Sequence, residues 1–205
     1  MSRVFPSAAA IGLMLAACGS VGPPPKTYVL GPLPTSERTV DPLPGRPVIE
    51  VKRVLMPDYL DVSDLLIRRG ANLVEASPTG RWRERLSVGA AHAIAAGLSR
   101  RLPDVVVATN PPPEGAACEL LLDVQAFEAD TDEHVAFIGQ WRLLAASHDT
   151  LVGERVSLTG QIVGAGDEAI VAVMSHIMDD VAERVATGIR DVGSKCIGRG
   201  VNTRS

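Results

Sequence analysis

The stretch ELLLDVQAFEADTDEHVAFIGQWRLLAASHDTLVGERVSLTGQIV, residues 119–163, decides the fold. Apolar and polar residues alternate along three runs within it, a period that is typical of half-buried β-strands. Polar links of hairpin length, 130–134 and 147–150, separate the runs. The stretch therefore predicts three consecutive strands in an antiparallel meander. The predicted strands are residues 119–129, 135–146 and 151–163.

Two other segments have the helical period. In the first, Glu84 to Leu102, apolar residues recur every four positions until Pro103 ends the pattern. The second runs from Asp167 to about Asp191 and begins with acidic residues, which suit the positive end of a helix dipole. Each segment predicts an amphipathic helix with one apolar face. The apolar residues are Leu86, Ala90, Ile94, Leu98 and Leu102 in the first, and Ile170, Val173, Met174, Ile177, Val181, Val185 and Ile189 in the second.

Shorter strands complete the predicted sheet. Residues 47–56 alternate in polarity, with Ile49, Val51 and Leu55 facing one way, and Pro57 ends the strand. This order of elements predicts an α+β fold: a mainly antiparallel sheet with two amphipathic helices packed on one face, in a single domain over residues 48–192. The other short elements are strands at 65–69, 71–76 and 105–109 and a turn at 77–80.

Composition excludes several classes of protein. The chain has 205 residues, of which 46% are hydrophobic and only 3% aromatic, so aliphatic side chains must build one sizeable core. Its formal net charge is −4, and it has no basic stripe, which argues against general nucleic-acid binding. No apolar run reaches the roughly 18–20 residues that a transmembrane helix needs.

Residues 1–17 have the features of a lipoprotein signal peptide. Arg3 precedes a short apolar stretch that ends in Leu15-Ala16-Ala17-Cys18. This end resembles the bacterial lipobox, in which the cysteine thiol receives a diacylglycerol and the preceding peptide is removed. The resemblance implies that Cys18 is lipidated. Because residue 19 is Gly rather than Asp, it also implies an outer-membrane anchor with the protein facing the periplasm. The alternative is an ordinary secretory signal with a coincidental cysteine.

Two loose segments and one disulfide are expected around the domain. Residues 18–47 read as the lipidated cysteine and a Pro/Gly-rich tether, and residues 193–205 as a flexible C-terminal tail. If Cys18 carries lipid, Cys118 and Cys196 remain in an oxidising compartment, which predicts a bridge between them. The alternative is two buried, unpaired thiols.

The sequence has no catalytic, metal-binding or cofactor-binding motif that we can identify. Its four histidines lack metal-ligand spacing, and the acidic segment 130–134 lacks the glycine and distal glutamate of an EF-hand. Gly164-Ala165-Gly166 precedes a helix but lacks the lysine of a phosphate-binding loop. We therefore expect no enzyme, no metal and no cofactor. The histidines are His92, His134, His148 and His176.

The segment after the first long strand is the candidate interface with a partner or a second copy. It places apolar side chains in an acidic loop, a combination that suits a protein interface. A tryptophan in the small basic cluster 81–85 is a further candidate. The alternative is that the loop residues tuck into the domain edge and the tryptophan covers the helix N-terminus. The candidate residues are Asp58, Tyr59, Leu60, Asp61 and Trp82.

The body of the chain resembles the ABC-type transport auxiliary lipoproteins, the PqiC-like family. The most specific residues are 56–61, Met-Pro-Asp-Tyr-Leu-Asp, which match a Leu-Pro-x-Tyr-Leu-Asp pattern, with Trp82 following 21 positions after Asp61. The resemblance covers roughly residues 28–190. Further matching residues are Tyr28-Val29-Leu30, Leu66-Ile67-Arg68-Arg69, Leu98-Ser99, Phe127 and Trp141.

This resemblance implies a periplasmic protein, anchored in the outer membrane, without catalysis of its own. It implies docking onto a mammalian-cell-entry (MCE) protein, whose ABC permease and ATPase complete a lipid transport system, and it leaves a ring-shaped homo-oligomer open. One alternative is a structural lipoprotein of another envelope machine, such as lipopolysaccharide assembly. The other is an exported enzyme, which needs a nucleophile or a perturbed acid–base pair in a pocket.

Overall fold

A computed structural model describes residues 23–31, 46–111, 113, 115–131, 133–192 and 196. The predicted signal peptide and Cys18 lie outside the described residues, as do most of the tether and, apart from Cys196, the tail after residue 192. The described residues form one α+β domain. Its elements, in chain order, are β1 (Lys26–Tyr28), β2 (Val48–Val51), β3 (Asp64–Arg68), β4 (Val74–Trp82), α1 (Leu86–Arg101), β5 (Val106–Ala108), β6 (Cys118–Asp130), β7 (His134–Ala145), β8 (Thr150–Gln161) and α2 (Asp167–Asp191).

The predicted meander forms one side of the sheet, from β6 to the edge strand β8. Strands β6, β7 and β8 pair antiparallel along nearly their whole lengths, from Cys118↔Ala145 at one end to His134↔Gln161 at the other. Their inward side chains are buried, and the rings of Phe127 and Phe137 meet edge to face with centroids 5.4 Å apart. The alternating pattern was therefore sufficient to predict these three strands.

The other edge of β6 is shared between two parallel strands. Strand β2 pairs with its beginning, at Cys118–Leu120, and β3 with its end, at Ala129 and Asp130. Strands β1 and β4 are parallel, as are β2 and β5. The sheet is therefore mixed, and the expectation of a mainly antiparallel sheet is only partly right. Parallel neighbours need long crossover connections, such as the one that carries α1 between β2 and β5.

Residues 77–80 correct another prediction. They were expected to form a turn, but they continue strand β4, which runs from Val74 to Trp82. On β3, Asp64 pairs with Arg81 and Leu66 pairs with Ala76. Two positions on β3 therefore correspond to five positions on β4, and the register of the pair shifts there. The extra residues make a large bulge, so a turn-like sequence is accommodated inside a strand.

Both predicted helices are present, and their apolar stripes face a core shared with the sheet. They lie close together, because a Cβ atom on Gly97 of α1 would come within 2.6 Å of the Cβ of Ala182 in α2. At the end of α1, Arg101 donates hydrogen bonds of 2.8 Å to both carboxylate oxygens of Asp179. A glycine contact and a bidentate ion pair thus hold the two helices side by side.

The structure contains the disulfide between Cys118 and Cys196, whose Cα atoms are 5.8 Å apart. Cys118 is the first residue of β6, and Cys196 lies five residues beyond the end of α2. Both are buried. The alternative of two unpaired thiols is therefore wrong, and the bridge joins Cys196, after α2, to the first residue of strand β6.

Candidate functional site

The loop of residues 57–61 lies in the connection between strands β2 and β3. After β2 ends at Val51, the chain continues beside β6, and Leu55 makes a single parallel bridge to Asp123. The loop then makes one turn, in which the backbone N–H groups of Leu60 and Asp61 both donate to the carbonyl of Pro57, at 2.9 and 3.2 Å. Just before this turn, the backbone of Leu55 bonds to Leu122 and Val124 on the edge of β6, between the residues of β6 that pair with β2 and with β3.

Asp61 fixes the end of this loop to helix α1. Its carboxylate accepts hydrogen bonds from the backbone N–H of Ser87, at 3.1 Å, and from the guanidinium of Arg53, at 2.8 Å. The residue before α1, Arg85, provides no side-chain cap, so Asp61 caps the helix from a distance in sequence. Burial opposes ionisation of Asp61, but the bonds from Ser87 and Arg53 hold its pKa below the ordinary value.

We expect Asp61→Asn to lower the free energy of unfolding by about 1–2 kcal/mol near neutral pH, through loss of the charged cap. The folded-state pKa is depressed, so the contribution is fully present above the unfolded-state pKa of about 3.9 and is lost as the pH falls through the folded-state value. Urea unfolding of both proteins at a series of pH values measures the difference.

Asp58→Asn is the matched control for that experiment, because it removes a charge from an exposed position of the same loop. It should change the free energy of unfolding by less than about 0.5 kcal/mol. A difference between Asp61→Asn and the native protein that persists unchanged in acid would contradict the assignment of Asp61 as an ionised cap.

A second set of contacts holds the middle of the loop. The Tyr59 hydroxyl accepts a hydrogen bond from the guanidinium of Arg68, at 3.3 Å. Arg68 in turn donates through Nε to the buried carboxylate of Glu128, at 2.6 Å, and through a terminal nitrogen to the carbonyl of Ala71. The Tyr59 ring is therefore held at a fixed place on the surface although it is 44% exposed.

The five predicted interface residues divide into two groups. Asp58 and Tyr59 are exposed. Leu60, Asp61 and Trp82 are buried within the chain, and Trp82 lies in β4 with its backbone N–H bonded to the carbonyl of Ser63. The structure thus places four of the five in one loop and Trp82 at the end of β4, and it leaves only Asp58 and Tyr59 exposed to contact another molecule directly.

Leu55 is a surface residue that the sequence pattern placed wrongly. It was assigned to the inward face of a strand with Ile49 and Val51, but β2 ends at Val51 and Leu55 is 63% exposed. The supporting residues Arg53 and Arg68 were also missed. Pro57 was the one available sign that Leu55 does not follow the strand pattern, because residues just before a strand break can lose the regular alternation.

The other polar groups that the sequence singled out do not converge on a reactive site. His92 lies 3.1 Å from Glu84, and the other three histidines are likewise surface residues near carboxylates. In the part of the chain that the structure describes, no group of three or more His, Cys, Asp or Glu residues is arranged to hold a metal ion. Neither of the two helices has an apolar stretch long enough to cross a membrane.

One open cleft lies between strands β7 and β8 and the last turns of α2. Its volume is about 420 Å³, and its lining includes Trp141 and Gly188. An ion pair of 2.9 Å between Arg184 of α2 and Glu154 of β8 crosses this region. This ion pair therefore joins the helix to the edge strand of the sheet.

Solved structures share this fold. An uncharacterised protein superposes with a TM-score of 0.67 at 22% identity, covering 81% of this chain and 99% of its own. A DUF330 family protein from Xanthomonas campestris gives a TM-score of 0.61 at 12% identity, covering 83% of this chain and 95% of its own. The PelC dodecamer of Paraburkholderia phytofirmans matches less well, with a TM-score of 0.42 at 13% identity over 68% of this chain and 88% of its own.

Sequence comparison identifies the family. No curated protein matches the chain significantly. The profile of the ABC-type transport auxiliary lipoprotein component matches residues 28–186, a range that begins in β1 and includes β8 and most of α2. The match thus covers nearly all of the described domain, including the loop at 57–61. The chain belongs to the family of ABC-type transport auxiliary lipoproteins.

Proposed function

We propose that this protein is a lipid-anchored docking and assembly component of an MCE-type lipid transport system, without a reaction of its own. The observation that carries the proposal is the family match over residues 28–186, since the family is defined as an auxiliary of ABC-type transport. An MCE-domain protein, with its ABC permease and ATPase, is the proposed partner. The lipobox at Leu15-Ala16-Ala17-Cys18 supports lipidation of Cys18 and a position at the outer membrane, facing the periplasm.

We place the contact with the partner at the Tyr59 surface, defined as Leu55, Asp58 and Tyr59. Two of these residues expose large apolar side chains, and tyrosine is enriched among residues that dominate binding energy. The contacts of Arg68 with Tyr59, and of Arg53 and Ser87 with Asp61, fix the loop before any partner arrives. A surface that is already ordered loses little conformational entropy on binding.

Affinity purification from gently solubilised envelopes tests this proposal. The variant Leu55→Ala/Tyr59→Ala should recover about 10–30-fold less MCE-domain protein than the native chain, since truncating a central tyrosine typically costs about 2 kcal/mol of binding energy. Ile138→Ala is the matched control, because Ile138 is as exposed as Tyr59 but lies on strand β7. Its recovery of the partner should equal that of the native protein.

Three results would overturn the proposal in different ways. Equal recovery with both variants would remove the Tyr59 surface as the contact while leaving the transport role. Recovery of only another envelope machine would favour a structural lipoprotein such as one for lipopolysaccharide assembly. If the Tyr59 surface joins copies of this chain instead, the double variant would lower the molecular mass of the purified protein, measured by light scattering.

A further inference from the structure

Val163 is an apolar side chain with unusual exposure. It lies in the loop between β8 and α2 and is 84% exposed, more than any other large hydrophobic residue in the described ranges. The glycines that follow it, Gly164 and Gly166, have φ angles of 111° and 80°, a backbone conformation that favours glycine. The loop geometry therefore presents Val163 outward, which is a cost in water unless something apolar contacts it.

Two neighbouring turns lie at the same end of the domain. The backbone N–H of Ile162 donates to the carbonyl of Glu133, at 2.7 Å, so the β8–α2 loop lies against the β6–β7 turn. The parallel pairing of Arg68 with Asp130 places the β3–β4 turn beside them. That turn contains Leu73, which is 53% exposed. We call this end, made of residues 69–73, 131, 133 and 162–166, the tether end.

The N-terminal segment joins the domain at this end. Lys26 of β1 pairs with Gly80, and a Cβ atom on Gly80 would lie 2.6 Å from a carboxylate oxygen of Asp167. Asp167 is the first residue of α2 and accepts a hydrogen bond of 2.6 Å from Thr79. The place where the chain enters the sheet is therefore close to the loop that carries Val163.

The length of the connecting chain restricts the orientation of the domain. Cys18 and Lys26 are eight residues apart, so the chain between them spans at most about 26–29 Å. A globular domain of this size has a radius of gyration of about 15 Å, which corresponds to a diameter of about 40 Å. A lipid on Cys18 therefore keeps Lys26 closer to the bilayer than one domain diameter. The tether end lies nearer to Lys26 than the opposite end, where Cys118 begins β6, so an orientation with the tether end toward the membrane needs the least extension of this chain.

We propose that the tether end rests on the phospholipid surface, with Val163 and Leu73 inserted among the headgroups. The inference rests on the proposed lipidation of Cys18. The anchor holds these side chains near the bilayer, and burying them there removes apolar surface from water. Exposed charges of both signs surround them, including Lys26, Arg69 and Glu133. Apolar contact therefore dominates, and the depth of insertion should be the same in zwitterionic and anionic vesicles.

Depth-dependent fluorescence quenching tests the orientation. Val163→Cys in the full lipidated protein provides the only free thiol, because the chain has three cysteines, Cys18 carries lipid, and Cys118 is bonded to Cys196. A polarity-sensitive dye is attached to that thiol, and the protein is bound to vesicles of phosphatidylethanolamine and phosphatidylglycerol that contain nitroxide-labelled lipid. The measured quantity is the quenching of the dye's fluorescence by the nitroxide. Quenching at position 163 should exceed that of a far-end label by at least about twofold, since interfacial side chains reach about 5–10 Å into the headgroup boundary.

Three matched labels complete the experiment. Leu73→Cys should be quenched like position 163. Ser147→Cys, in the turn after β7 next to the Ala145↔Cys118 pair, should be accessible to iodide in water and unaffected by the nitroxide lipid. Ile138→Cys, on the exposed side of β7, should behave like Ser147→Cys.

Vesicle flotation and fluorescence quenching together distinguish failure of this inference from failure of the proposed anchor. If the unlabelled protein does not float with vesicles, or floats equally well as Cys18→Ser, the anchor is wrong. If the native anchor holds but position 163 is no better quenched than position 147, the orientation is wrong. Protection of position 163 from iodide without nitroxide quenching would assign Val163 to a protein contact and also overturn the inference.

Discussion

Replacing Cys118 and Cys196 together by alanine should lower the free energy of unfolding by about 4–5 kcal/mol. The bridge closes a loop between residues 78 positions apart, and closing a loop of that length removes about 15 cal/mol/K of entropy from the unfolded chain. Both cysteines are buried, so the loss of the sulfur atoms adds a small packing cost.

Urea unfolding with and without dithiothreitol provides the measurement and its control. Reductant should lower the midpoint of the native protein to nearly that of the double variant and leave the variant unchanged. A native midpoint that does not respond to reductant, under conditions in which free thiols become detectable, would show that the bridge contributes little stability.

Trp141→Ala should lower the free energy of unfolding by about 3–5 kcal/mol, because the indole is buried between the sheet and α2. Its ring lies against Gly188, where a Cβ atom would come within 2.4 Å of Cη2 and 3.1 Å of Cζ2. Gly188→Ala by itself should therefore destabilise the protein by about 1–3 kcal/mol through overpacking, although alanine is the better helix former.

The double variant tests this explanation, because the effect of Gly188→Ala on the free energy of unfolding should change sign when Trp141 is replaced. Without the indole, the alanine at position 188 meets no ring, and Gly188→Ala should stabilise the Trp141→Ala protein by about 0.5–1 kcal/mol through helix propensity alone. Chemical unfolding of the four proteins gives the coupling energy directly. A Gly188→Ala effect of the same size and sign in both backgrounds would mean that the ring does not require glycine there. Gly164→Ala, in the loop before α2, leaves this contact untouched and should behave identically in both backgrounds.

The long, strongly periodic elements could be predicted from the sequence. The meander β6–β8 and both helices are within two residues of their expected bounds, since each buries one face and repeats its pattern over at least ten positions. Strand β1, three residues long, was missed, and residues 77–80 were misread as a turn. Short elements depend on partners elsewhere in the chain rather than on their own pattern.

The sequence motif directed attention to one loop, but it did not predict which residues of that loop are exposed. The motif at 56–61 pointed to the loop, whereas only the packing shows that Leu60 is buried and that Tyr59 is exposed beside it. The exposure of Leu55 depends on β2 ending at Val51, and the order of the loop depends on Arg68, a residue nine positions away from Tyr59. A local pattern contains no information on such contacts.

The family, the α+β class, the pair of cysteines available for a bridge and the three strands of the meander could all be predicted from the sequence. These follow from local periodicity, from short motifs and from the small number of cysteines, none of which requires knowledge of distant contacts. The parallel pairings at the edge of β6, the capping of α1 by Asp61, and the placement of Lys26 near the loop of Val163 became visible only in the packed domain. Each of these joins residues far apart in the chain, and their proximity is a consequence of how the whole domain packs.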